Sequence, residues 1–142
     1  MSEVIFPGMS LHHIGIVVNN INKAVDQYSI ITKGNLTFSY EYIDSQLVDI
    51  CLVKSENSVI VEFICPTHEI SPVYTFSQNG GGLHHLCYEV DDLYSSVLYL
   101  KPYMRQILKP VRGFENRLIT FLWTKNQKLG FSLVELAERI KS

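Results

Sequence analysis

The chain has 142 residues and a formal net charge of −2, with lysine and arginine scattered rather than clustered, so nothing in it suits a nucleic-acid surface. No apolar run approaches the ~20 residues of a membrane helix, and the first residues lack a charged-then-apolar signal pattern. This length and an ordinary composition fit one compact domain or two closely packed halves, and Cys51, Cys65 and Cys87, each in apolar surroundings, read as buried free thiols of a reducing cytoplasm.

Met1 to Ser10 reads as a lead-in broken at Pro7-Gly8. A strand is expected from Leu11 to Val18. Asn20 then caps a helix whose inner face is Ile21, Ala24, Val25, Tyr28 and Ile31, and Gly34 stops it. Strands follow over Thr37 to Ile43, Gln46 to Lys54 and Val59 to Cys65, the last two joined by the turn Ser55-Glu56-Asn57-Ser58. This order is βαβββ. Pro66 to Gly82 is a connection in which Ser71-Pro72 starts a short helix with Val73 and Phe76 on one face, ended by Asn79-Gly80. The order then repeats. A strand runs from Leu83 to Val90, and Asp92 caps a helix with Leu93, Val97 and Leu100 inward, broken near Pro102. Strands cover Ile107 to Val111, Arg117 to Thr124 and Phe131 to Leu136. Gly113 and Lys125 to Gly130 carry turns, and Glu138 to Ser142 is a tail.

The repeat is visible in the residues themselves. Leu11-His12-His13 opens one strand and Leu83-His84-His85 another; His13 to His85 and Asn19 to Asp91 are both 72 residues apart. The closing strands match as well, with Val61-Glu62-Phe63 in the first copy and Val134-Glu135-Leu136 in the second. So long a period in so short a chain means two copies of one unit. The fold class expected is α+β, with two βαβββ modules over 10–66 and 83–138, joined by a linker over 67–82. They pair into a curved mixed sheet around one site, a single domain over 10–138.

Strand parity chooses among the histidines, because successive side chains point to opposite faces. His12 shares a row with Ile14, Ile16 and Val18, and His84 with Leu86, Tyr88 and Val90; these bulky rows suit packing on helices. His13 goes with Gly15 and Val17, and His85 with Cys87 and Glu89, rows that suit a cavity. Each copy also brings a Glu inside a strongly apolar strand, where an ionised carboxylate needs a partner. Paired modules would gather His13, Glu62, His85 and Glu135. Two imidazoles and two carboxylates suit one divalent first-row ion, whether Co, Ni, Mn, Zn or Fe. Two open positions would admit a substrate that binds through two oxygens and passes through an enolate.

These features resemble the vicinal oxygen chelate superfamily, the glyoxalase fold of paired βαβββ modules, over about Leu11 to Glu138. Gly81-Gly82-Leu83-His84-His85 running into Tyr88-Glu89-Val90-Asp91-Asp92, with Leu133-Val134-Glu135-Leu136, is most similar to its methylmalonyl-CoA epimerase branch. The resemblance implies metal ligands at His13, Glu62, His85 and Glu135, and a carboxylate base in the strand before Glu62, where Asp49 stands. Glu135 released from the metal, or Glu89, would be the second acid/base group. The chain departs from the pattern in Asp49, where bacterial members can carry Glu, and in Trp123-Thr124, where His-Pro is frequent. The turn over Lys125 to Gly130 is also longer. An alternative for Asp49 is an edge-strand charge that blocks aggregation.

The function this implies is a metal-dependent epimerase or isomerase acting on an acyl-CoA or related thioester, a cytoplasmic enzyme with a homodimer as the assembly to test. Three readings compete with it: a glyoxalase-type lyase acting on a glutathione hemithioacetal, a ring-opening dioxygenase using a two-histidine, one-carboxylate Fe(II) site, and a non-enzymatic binding module of the drug-resistance type.

Overall fold

The computed structural model describes residues 8–56, 59–124 and 131–141. Nine strands and three helices follow in the order β1 (Met9–Val17), α1 (Ile21–Thr32), β2 (Leu36–Ile43), β3 (Val48–Ser55), β4 (Ile60–Pro66), α2 (Tyr74–Gln78), β5 (Gly82–Val90), α3 (Leu93–Leu100), β6 (Met104–Gln106), β7 (Val111–Arg112), β8 (Leu118–Thr124) and β9 (Leu133–Glu138). No helix among them is long and apolar enough to cross a membrane. The fold is α+β, as expected. Contacts divide the chain into two compact units, one formed by His13–His85 and the other by the residues up to His12 with those from Leu86 onward. The divisions fall inside β1 and β5.

In the His13–His85 unit the strand order is β2-β3-β4-β1-β5. β1 and β4 are parallel, whereas β2, β3 and β4 are antiparallel neighbours, so the sheet is mixed. A parallel pair needs a long crossover, and α1, β2 and β3 provide it. Asn20 caps α1 by accepting from the Lys23 N–H at 2.9 Å. Ile21, Ala24, Val25 and Tyr28 lie against Val53, Val61, Phe63, Ile16 and Val18. Ile31, expected inward, is 76 % exposed, because the helix is in its last turn and already past the sheet. Lys33, left-handed at φ 37°, ends the helix one residue before Gly34.

Two other starts in this unit differ from expectation. β3 begins at Val48 rather than Gln46, since Leu47 is left-handed at φ 52° and its carbonyl accepts from both the amide and the hydroxyl of Thr67 at 3.0 Å. α2 begins at Tyr74 rather than Pro72: the Ser71 hydroxyl donates to the Gln46 carbonyl at 2.8 Å, and Val73 stands at the helix start with no side-chain cap.

In the other unit the order is β5-β9-β8-β6, with β7 also on β8. Asp92 caps α3 by accepting from the Ser95 N–H at 2.9 Å. Leu93, Val97 and Leu100 pack with Leu122, Val134 and Leu136. The strand expected over Ile107 to Val111 is instead two short pieces, β6 and β7. Pro110 has no N–H to give a ladder, and the Leu108 carbonyl accepts from the Thr120 hydroxyl and the Gln106 side chain. The expected break at Pro7, most of the lead-in before it, the turn at Asn57-Ser58, the turn over Lys125 to Gly130 and the final Ser142 lie outside the described residues.

Leu136 is fully buried, so Leu136→Ala is expected to cost about 2–5 kcal/mol. Removing the α1 cap with Asn20→Ala is expected to cost about 1 kcal/mol. Urea unfolding of both variants reads the difference.

Candidate metal centre

The parallel register of β1 on β4 sets Gly15 beside Glu62 and His13 beside Ile60, so His13, Gly15 and Glu62 share one face. Across the next hairpin Leu52 opposes Glu62, which adds the even-numbered residues of β3. The reverse face carries Ile16, Val18, Cys51, Val53, Val61 and Phe63, packed under α1. Apolar burial of one face therefore fixes what the other presents.

On that other face three side chains meet. His13 is 0 %, His85 1 % and Glu62 5 % exposed. His13 Nε2 lies 3.3 Å from His85 Nε2 and 3.4 Å from Glu62 Oε1, and His85 Nε2 lies 3.6 Å from the same oxygen. One donor atom from each residue thus forms a near-regular triangle. Metal–ligand bonds of about 2.0–2.2 Å fit such a triangle, and imidazole with carboxylate is a donor set for divalent first-row ions. The residues present therefore fit the ion. The Nδ1 of His85 is 2.8 Å from the Nδ1 of His84, whose ring stacks edge-on against Phe76 at 5.1 Å. With His85 Nδ1 as the donor and His84 Nδ1 as the acceptor, the lone pair of His85 Nε2 faces the triangle, the kind of support that ligand histidines usually have.

Glu135 belongs to the other unit. It is 4 % exposed on β9 and opposite Phe121 on β8, between Val134 and Leu136, which pack toward α3. Parity turns Glu135 away from that helix. His12 is buried and its ring lies 5.0 Å from Phe114.

Two further carboxylates, Asp49 and Glu89, are expected acid/base groups. Asp49 pairs with Tyr42 and Cys65, so it stands on the α1 face, opposite Glu62. It is exposed and lines an open cleft of about 460 Å³ with Asn20, Glu41, Tyr42 and Cys65. It is not an edge charge either, because β3 lies between β2 and β4. The carboxylate that shares the Glu62 face on β1 to β4 is Glu41, opposite Ile50 on β2.

Glu89 is tied to Arg117 at 2.6 Å. Burial by itself would raise its pKa, but the Arg117 hydrogen bond, the nearby His12 and the Arg117 charge hold the carboxyl below its ordinary value, which makes it a poor base. Arg117 also holds Glu115 at 2.8 Å and covers the Phe114 ring at 5.1 Å. Sequence reasoning had no signal for this cluster, nor for Gly15 beside His85.

Residues 12–121 match the model of the glyoxalase/bleomycin resistance protein/dioxygenase superfamily. The chain belongs to that superfamily. Within it, the chain is 28% identical over 133 residues to the mitochondrial methylmalonyl-CoA epimerase of Dictyostelium discoideum, covering 91% of this chain and 78% of that protein. It is 30% identical over 132 residues to the mitochondrial methylmalonyl-CoA epimerase of Homo sapiens, covering 90% and 73%. The crystal structure of methylmalonyl-CoA epimerase from Mycobacterium tuberculosis superposes with a TM-score of 0.78 at 26% identity, covering 92% of this chain and 88% of that one.

The Arg117–Glu89 pair carries a sign for pH. A carboxyl whose folded pKa is depressed adds stability that is complete above its unfolded value of ~4.3 and is lost as pH falls through the folded value. The stability difference between wild type and Glu89→Gln is therefore expected to be constant near neutrality and to shrink below about pH 4.3. Chemical unfolding across that range measures it.

Proposed function

We infer that this chain is a metal-dependent epimerase of a CoA thioester of the methylmalonyl type. The buried His13, Glu62 and His85 triangle carries the reading, in a chain aligned over 91% of its length with an epimerase. His13, Glu62 and His85 would hold one divalent ion, with Glu135 as a fourth ligand. The duplicated Val-Glu pattern and the burial of Glu135 support that last assignment. When bound, the ion supplies positive charge that stabilises an enolate oxygen.

Epimerisation breaks the C–H bond alpha to the thioester carbonyl. A base takes the proton, the electron pair moves to the carbonyl oxygen, and a proton then returns to the opposite face of the carbon. Two groups on two sides of the substrate are needed. Glu41 is our choice for one, because it shares the Glu62 face. Glu135, when released from the ion, is our choice for the other.

The domain over 10–138, its modules over 10–66 and 83–138 and the linker over 67–82 belong to this proposal. So does a homodimer, supported by the exposed aromatic row Phe38, Tyr40 and Tyr42 on the edge strand β2 and checked by light scattering. A reducing, cytoplasmic setting accords with Cys51, Cys65 and Cys87 forming no disulfide among the described residues, although Cys65 is half-buried rather than buried.

With a methylmalonyl thioester in deuterated water, the wild type is expected to exchange the alpha proton, and absence of exchange overturns the epimerase reading. His85→Ala is expected to lower bound metal and exchange together. Glu41→Gln should keep its metal and lose about 10²–10⁴-fold in exchange. Asp49→Asn should stay near wild type in both; a collapse of exchange in that variant would restore Asp49 as the base.

A further inference from the structure

We propose that Gly15 is a positioning residue for His85: the missing side chain of Gly15 leaves the place that the imidazole occupies. This inference rests on the metal reading above. A Cβ built on Gly15 would meet His85 Cε1 and stand 2.6 Å from both ring nitrogens, closer than carbon and nitrogen can approach without one of them moving. The ring therefore lies flat on the β1 backbone. Its Nδ1 is held by His84 at 2.8 Å, and its Nε2 is thereby aimed at His13 and Glu62. His85 comes from a different strand, and its ring takes the space that the bare Gly15 backbone leaves. Gly15 shows no left-handed backbone, so glycine is not required there for chain geometry. In a strand interior alanine is ordinarily the better residue. The reason for glycine at this position is the ring above it.

The imidazole can escape an added methyl by rotating, so Gly15→Ala should fold. Rotation carries Nε2 away from the triangle. Metal affinity, read by titrating cobalt and zinc into metal-free protein, is expected to fall about 10–100-fold, as for other groups that orient ligands. A double-mutant cycle separates positioning from general damage. In a His85→Ala background, Gly15→Ala should change affinity less than about twofold, because there is no ring left to displace. Gly34→Ala serves as the control, since its added Cβ meets only the Thr32 carbonyl at 3.5 Å. Undiminished affinity in Gly15→Ala, or the same fall with and without His85, overturns the proposal. A wild-type chain that takes up no divalent ion overturns the metal reading instead. Thermal melting of the metal-free proteins then still reports the contact: a midpoint lowered by Gly15→Ala only where His85 is present supports it, and an equal drop in both backgrounds overturns it.

Discussion

The arrangement of the His13–His85 unit depends on one constraint, the carboxylate of Glu62 carried into a strand interior at 5 % exposure. An isolated charge there is costly, and the two imidazoles at 3.4 and 3.6 Å bring two further donor atoms to the same point. A leucine at this position would pack with no electrostatic cost, and replacing buried charge by apolar groups is often neutral or stabilising. Stability does not explain the residue. The convergence of one carboxyl and two imidazole donor atoms on one point is what sets the position apart.

That convergence follows from the sheet. α1 buries the reverse face of β1, β3 and β4, and this fixes which row of each strand is free to face the site. The parallel pairing of β1 with β4 then sets Gly15 beside Glu62. A slip of one residue would exchange the two faces, sending Glu62 under α1 and Val61 toward the histidines. The apolar cluster under the helix thus holds the register, and the register holds the polar triangle. Gly15 is where these demands meet, since it belongs to the strand that carries one histidine and supports the ring of the other.

The second unit solves a different electrostatic problem. Arg117 has a side chain 8% exposed, and Glu89, Glu115 and the Phe114 face surround it. The backbone at Glu115 and Asn116 is left-handed, with φ of 53° and 55°, a conformation that costs non-glycine residues energy. The ion pairs of Arg117 help to hold that turn in place. Glu89 is held by Arg117 in this cluster, with its carboxyl below the ordinary pKa.

Much of this was legible in the residues alone. The repeat of His-His strands and Val-Glu strands, the caps at Asn20 and Asp92, and the separation of His13 from His12 by parity are local properties: each depends on a period of two, a helical spacing or a single hydrogen bond. The strand and helix order was readable for the same reason. Asp49 shows where such reading stops. Its own row, with Cys51 and Val53, was readable, but whether that row faces the site depends on Leu52 lying opposite Glu62, and pairing between strands is settled by hairpin geometry and packing. The break between β6 and β7, the partners of Arg117 and the ring over Gly15 are likewise contacts between residues far apart in the chain. The sequence by itself determined which residues could act and on which row of its strand each one stands. Only the tertiary structure decided which rows face one another, because register is a collective property of paired strands and of the core that one face must bury.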